Sequence, residues 1–295
     1  MSLPKLSICV FIRDNNSCGF GLWESMSILM PIADEFVVMD VGSTDGTLET
    51  LKWLAERNKK LRVEQGNIPV NPVTGLVDAG SFAVIPNELI PTCKNDLVMY
   101  YQADELFHEK LMDVFVERLE EYGLKDFKGM SFWRYQLSHN FQRIKWFPHI
   151  VHRVGHKDSF VFVDDGMNTK EVWGVPVCSN FDAGWFPRWG DEFERRPTEL
   201  PTHEMILDIS SVGGFLNNVE TKMKHHAPLW RNSDQHINLD GQSYKFSEWF
   251  EEQKSNEEWS RTETPFNVPS VIKPSLGQHD YTVRQDLLDK IANES

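Results

Sequence analysis

The chain has 295 residues, 40% of them apolar and 12% aromatic, and a formal net charge of −14. That balance argues against a broad basic surface for nucleic acid, because phosphate contacts need clustered Lys and Arg to release counterions. No apolar run approaches the roughly 18 residues of a membrane span, and Met1 does not open a basic and then apolar leader; the expectation is a soluble, cytoplasmic protein. Cys9, Cys18, Cys93 and Cys178 lack the C-x-x-C spacing of a zinc or redox site and are too few to staple a chain of this length, so they read as free thiols.

In chain order, Leu6 to Ile12 (LSICVFI) is a short apolar run that reads as a strand ending at Arg13, and Arg13 to Gly21 is a polar, glycine-containing loop. Leu22, Met26, Leu29 and Met30 then recur at helical spacing until Pro31 stops the helix. Glu35 to Met39 reads as a second strand, followed by DVGSTDGT and by a second amphipathic helix marked by Leu48, Leu51, Leu54 and Ala55. Thr44 or Asp45 can cap that helix through a side-chain oxygen. A third strand is expected over Arg62 to Gln65 and a helix over Gly80 to Leu89. Leu97 to Tyr101 forms another apolar strand that runs into Gln102, Asp104 and Glu105, with a helix over Glu109 to Tyr122. Aromatic residues and histidines crowd from Met130 onward, and the last 40 residues read as an extended tail that wraps back on the domain.

Strand and helix alternating over the first 60 residues imply an α/β fold with a mostly parallel sheet and right-handed crossovers. Ligands of such sheets bind beyond the carboxyl ends of the strands, which is where the polar loops Arg13 to Gly21 and Asp40 to Gly46 lie. An acidic protein that handles an anionic nucleotide needs a divalent cation and a few arginines, so clustered carboxylates are the feature to seek. Asp40 can accept hydrogen bonds from a base or ribose, while Gly42 and Gly46 let the backbone turn and approach a ligand. Asp104 and Glu105 form the second acidic strand end, suited to a hard cation such as Mg²⁺ or Mn²⁺. Each loop also has a plainer reading as a helix-capping turn, favoured by the helix dipole.

The stretches ICVFIRDN, ESMSILMPIADEFVVMDVGSTDGT and DLVMYYQADELFHEKL resemble the N-terminal half of family 2 type glycosyltransferases of GT-A fold. The resemblance is to a branch whose second acidic motif reads Gln-Ala-Asp-Glu in place of Asp-x-Asp. It covers residues 6 to 125 and weakens through about residue 190. It implies a Rossmann-like sheet with residues 1–125 binding the nucleotide sugar and residues 126–295 shaping the acceptor site, packed as one domain. It further implies Arg13 and Asn15 near the nucleotide, Asp40 and Asp45 at its base or ribose, and Asp104 on the metal. Gln102 stands where the wider family has the first aspartate, so a charged contact is lost and Glu105 or a later residue must compensate. In NFDAGWFPR, Asp182 occupies the place where relatives carry a histidine and is the expected third ligand, with His225 and His226 as rivals. The expected general base is Asp164 or Asp165, in FVFVDDGMN; neighbours on a strand face opposite ways, so only one can serve.

The reaction so implied is sugar transfer from a nucleotide-diphosphate sugar to an acceptor hydroxyl, inverting and dependent on Mn²⁺ or Mg²⁺. The acceptor is left open among a glycan, a lipid-linked sugar, a protein and a modified nucleobase. Two rivals remain: a nucleotidyltransferase, for which a lysine- and glycine-rich phosphate loop is missing near the N-terminus, and a catalytically silent GT-A scaffold that only binds a sugar nucleotide or glycan.

Overall fold

A computed structural model describes residues 4–69, 81–109, 112, 116, 129–136, 143–144, 149–159, 162–163, 168–169, 205–208, 236–239, 242–245, 262–263, 270–271 and 283–294. The first elements are β1 (Leu6–Ile12), α1 (Asn15–Cys18), α2 (Leu22–Leu29), β2 (Glu35–Asp40), α3 (Thr47–Ala55), β3 (Leu61–Gln65), α4 (Ser81–Leu89), β4 (Leu97–Tyr100) and β5 (Glu105–Phe107). They are followed by β6 (Gly129–Gln136), β7 (Arg143–Ile144), β8 (His149–His156), β9 (Phe162–Val163), β10 (Asn168–Thr169), β11 (Met205–Asp208), β12 (His236–Leu239), β13 (Gln242–Lys245), β14 (Thr262–Glu263) and α5 (Gln285–Asn293). Where the sequence suggested an extended tail, its end is helical. Leu287, Leu288 and Ile291 of α5 are buried at the i, i+1, i+4 spacing of one helix face. The helix expected over Glu109 to Tyr122 lies mostly outside the described residues.

Eight strands form one sheet in the order β3-β2-β1-β4-β8-β6-β11-β5. β3, β2, β1 and β4 are mutually parallel. Beyond β4, β8 runs antiparallel to both of its neighbours, β11 runs parallel to β6, and β5 is antiparallel at the far edge. Six of the eight strands therefore point the same way, giving the mostly parallel α/β sheet that the alternating pattern implied.

β1 and β2 are buried on both faces, which is why they read as continuous apolar runs rather than as alternating ones. Leu6, Ile8, Val10 and Ile12 of β1, with Phe36 and Val38 of β2, pack in one core with Trp23, Met26 and Leu29 of α2, Leu51 and Leu54 of α3, and α5. Cys9 of β1 and Val37 and Met39 of β2 point the other way, into a second core with Ile85 and Leu89 of α4 and Phe162 of β9. The side-chain period of 2 divides the strands between the two layers. Cys9, Cys18 and Cys93 are buried thiols that form no disulfide, as expected; Cys178 is outside the described residues. No helix among the described residues is long and apolar enough to cross a membrane.

Two buried polar side chains inside this sandwich, Glu35 and Asn58, are held by specific hydrogen bonds. Glu35, at the start of β2 and 3% exposed, accepts from the Ser7 hydroxyl at 2.7 Å, the Lys94 amide at 2.7 Å and Arg62 Nε at 3.1 Å. Burial alone would raise its pKa, but the hydrogen bonds from Lys94, Ser7 and Arg62 outweigh burial and hold the carboxyl below its usual value. Asn58, buried after α3, donates from Nδ2 to the Ile291 carbonyl at 2.6 Å and accepts the Lys60 amide at 2.9 Å, tying α5 to the N-terminal layer across 233 residues. Asn58→Ala is expected to lower stability by about 1–3 kcal/mol, the cost of leaving buried partners unpaired, whereas Asn293→Ala on the exposed end of α5 changes it by less than about 0.5 kcal/mol; urea unfolding midpoints of the two variants measure the difference.

Candidate functional site

The carboxyl ends of β1, β2 and β4 gather three polar segments. Asp40 closes β2 and is 1% exposed. Its Oδ1 accepts the Gly42 amide at 3.1 Å and the Ser43 amide at 3.0 Å, an Asx-type turn that folds the loop back on the strand. Its Oδ2 is buried and has no hydrogen-bond partner among the described residues. A buried acceptor left unmade costs about 1–3 kcal/mol, so this oxygen marks where an outside donor is favoured. Gly42 has φ of 97°, a region closed to most side chains, and a Cβ there would meet nothing within 4 Å among the described residues. On the opposite side Gly66 donates its amide to the Asp40 carbonyl at 2.9 Å. A Cβ on Gly66 would come within 2.7 Å of Met39 Sδ, so the chain leaving β3 is pressed tightly against the end of β2.

The loop after β1 is bound to this one. Asp14, also 1% exposed, donates its amide to Ser43 Oγ at 2.8 Å and accepts the Thr44 amide on Oδ1 at 2.6 Å. Asn16 donates its amide to Thr47 Oγ1 at 3.0 Å. Asp45 does the most: Oδ2 accepts the Ser17 amide at 2.6 Å and hydroxyl at 2.7 Å, and Oδ1 accepts the Thr47 amide at 3.0 Å and hydroxyl at 2.6 Å. Burial would raise the Asp45 pKa, but the Thr47 and Ser17 hydroxyls and amides outweigh it and hold the carboxyl low. Both oxygens of Asp45 are thus occupied within the protein, and its observed work is to join the loops. The helix cap expected from Thr44 or Asp45 is instead Gly46, at φ of 86°, with Asp45 one residue earlier receiving the first-turn Thr47 amide. Asn15 is buried, accepts the Leu22 amide on Oδ1 at 3.3 Å, and keeps an Nδ2 without a partner among the described residues. Arg13 is half-buried, with Nε 3.4 Å from Asp14 Oδ2.

The third segment follows β4. The Glu105 amide bonds the Gln102 carbonyl at 2.9 Å, closing a tight turn with Asp104 on it, half-buried. Glu105, expected as a metal ligand, is fully buried and sits in a different role. Its oxygens accept Arg153 Nη2 at 2.6 Å and Nε at 2.8 Å, with Arg134 Nε 3.3 Å away and the Gln102 amide donating at 3.1 Å. A bidentate guanidinium is the partner that makes a buried carboxylate tolerable, and the hydrogen bonds from Arg153 and the Gln102 amide engage both Glu105 oxygens within the protein. Gln102 accepts a long contact from Arg134 Nη2 at 3.5 Å. Asp164, Asp165, Asp182, His225 and His226 lie outside the described residues, and among the described residues no three His, Cys, Asp or Glu side chains gather as a metal site. Of the expected ligands, Asp104 and Glu105 stand on this turn.

Sequence reading missed Asp14, Arg134 and Arg153. The signal for the two arginines was weak, a single charge inside each of two strand-like runs; for Asp14 it was only an acidic residue within a polar loop.

No family model and no curated protein matches the chain. Among solved structures it is similar to residues 1–349 of S. aureus TarS, at 14% identity and a TM-score of 0.33, over 52% of this chain and 47% of that one. The same TarS segment in complex with UDP-GlcNAc gives 21% identity and a TM-score of 0.29, over 45% and 34%. The mannosyltransferase PcManGT from Pyrobaculum calidifontis, in complex with GDP-Man and Mn²⁺, gives 16% identity and a TM-score of 0.32, over 47% and 36%. The chain spans less than half the length of each of these structures, and likeness at this level assigns no residue a role.

Two predictions follow from the geometry. The lowered Asp45 pKa means that its ionised form stabilises the fold above the ordinary carboxyl value of about 3.9, a contribution lost as pH falls through the lower folded value. The stability gap between the wild-type protein and Asp45→Asn, read from urea midpoints at pH 7 and at pH 3, is therefore expected to narrow at the lower pH. Glu105→Ala leaves Arg153 buried without its carboxylate and is expected to destabilise by about 3–5 kcal/mol; a loss under about 1 kcal/mol in the same assay contradicts the ion-pair role.

Proposed function

We propose that the chain is a glycosyltransferase that moves a sugar from a nucleotide-diphosphate sugar to an acceptor hydroxyl. The observation that carries this reading is the buried Asp40 Oδ2, without a partner among the described residues, at the carboxyl end of a parallel strand. That is where ligands of such sheets bind, and a carboxylate oxygen there suits an N–H or O–H of a nucleoside. The motif resemblance over residues 6 to 125 supports the same assignment. In this reading Arg13 and Asn15 flank the nucleotide, and the turn from Gln102 to Glu105 faces the diphosphate. Asp45 and Gly42 contribute by shaping the loop around Asp40.

The bond that breaks joins the anomeric carbon to the diphosphate oxygen, and the bond that forms joins that carbon to the acceptor oxygen. Asp164 or Asp165 takes the acceptor proton as general base, a task worth roughly 10²–10⁴-fold, and direct displacement inverts the anomeric centre. A divalent ion would supply Lewis-acid stabilisation of the leaving diphosphate. Asp104 would hold it, joined by Asp182; Glu105 would not. The acceptor belongs to the class of glycans, lipid-linked sugars, proteins or modified nucleobases, the last disfavoured by the charge of −14.

A second reading is a silent sugar-nucleotide-binding scaffold. It is favoured by Gln102 at the first acidic position together with the sequestration of Glu105 by two arginines.

Thermal-shift measurements against UDP, GDP, CDP and dTDP and their sugars, each with Mn²⁺, Mg²⁺ or EDTA, test both. A ligand at 100 times its dissociation constant stabilises by about 2.7 kcal/mol. The expected result is a metal-enhanced shift with one nucleotide family, abolished in Asp40→Ala. A shift without donor hydrolysis selects the silent scaffold, and no shift with any nucleotide overturns both.

A further inference from the structure

Asp14 is the one non-glycine residue with positive φ among the described residues, at φ 53° and ψ 44°. Side chains avoid that left-handed region, Asp and Asn less than others, and a residue kept there is over-determined by its surroundings. Here the surroundings are the loop after β2. The Asp14 amide donates to Ser43 Oγ at 2.8 Å, and its Oδ1 accepts the Thr44 amide at 2.6 Å and the Thr44 hydroxyl at 3.3 Å. Its Oδ2 meets Arg13 Nε at 3.4 Å. One buried carboxylate thus touches both the loop turned by Asp40 and the guanidinium one residue earlier. The left-handed turn is what allows this, since the amide and the carboxylate of Asp14 engage adjacent residues, Ser43 and Thr44, at the same time. Asp45 makes a second tie between the loops, but it sits at the helix end and makes none of these contacts with Arg13, Ser43 or Thr44.

We propose that Asp14 is a positioning residue of the nucleotide site: it fixes the Arg13 side chain and the loop from Gly42 to Thr44 as one rigid unit, so that Asp40 Oδ2 and the Arg13 guanidinium are held at a set separation before the nucleotide arrives. This rests on the glycosyltransferase reading. Preorganisation of that kind raises affinity by removing the ordering cost at binding, and here it would act on Asp40 and Arg13 together.

The test uses the full chain and three variants. Asp14→Asn tolerates the left-handed backbone and keeps an acceptor for the Thr44 amide, but it turns an amide toward Arg13. Asp14→Ala removes the acceptor, and Ser43→Ala removes the partner of the Asp14 amide without touching Asp14. Two quantities are read: amide hydrogen exchange of residues 42 to 44 in the protein alone, and affinity for the nucleotide diphosphate that stabilises wild type. Exchange is expected to accelerate about tenfold or more in Asp14→Ala and in Ser43→Ala and to stay near wild type in Asp14→Asn. Nucleotide affinity is expected to fall about tenfold in Asp14→Ala and less in Asp14→Asn. Unchanged exchange in the variants overturns the clamp itself, whether or not a nucleotide binds. Faster exchange with unchanged nucleotide affinity overturns the positioning role and leaves Asp14 purely structural. If Asp14→Ala does not fold, Ser43→Ala decides by the same two readings. Wild type binding no nucleotide overturns the functional reading and this proposal with it, and the exchange data then report the clamp separately.

Discussion

The constraint on which the rest depends is the burial of β1 and β2 on both faces. A strand covered on each side by a helical layer has nowhere within its length for unpaired polar groups, so side chains able to do chemistry are driven to its ends. Glu35, at the start of β2, is neutralised by Arg62, Ser7 and the Lys94 amide and belongs to the architecture. Asp40, at the other end of the same strand, has one oxygen folded into its own turn and the other left over. Six residues of a single strand thus carry two buried carboxylates, and their environments separate a structural group from a receptive one.

The loops beyond that edge are held by side chains rather than by sheet pairing. Ser17, Thr44 and Thr47 donate to Asp14 and Asp45, and Ser43 accepts in return. Every one of these residues is short, so the donors and acceptors are tethered close to the backbone and lose little rotamer freedom when they pair. Such a junction can keep an unsatisfied oxygen in place without collapsing onto it.

The turn after β4 obeys a different logic. Glu105 is surrounded by Arg153 and Arg134 from the neighbouring antiparallel part of the sheet, and it draws the Gln102 amide inward. A carboxylate that reads as a cation ligand in the sequence thereby becomes the anchor of its own turn, with Asp104 at the apex. The arginines come from residues 29 and 48 positions further along: Arg153 lies on β8, which pairs with β4, and Arg134 on β6, which pairs with β8.

What the sequence alone determined follows from local periodicity and local chemistry. The apolar runs of β1, β2 and β4, the 3.6-residue pattern of α2 and α3, and the placement of Asp40, Asp45 and Asp104 at or just beyond strand ends were all legible, because strand period, helix period and turn residues are properties of short windows. Tertiary structure decided which carboxylate does what. Asp45 and Glu105 look as suitable as Asp40 when only type and spacing are known. They differ because Ser17 and Thr47 close around the first and Arg153 and Arg134 around the second. Whether a lone pair is open to a ligand depends on neighbours brought from elsewhere in the chain, and only the folded sheet sets those distances.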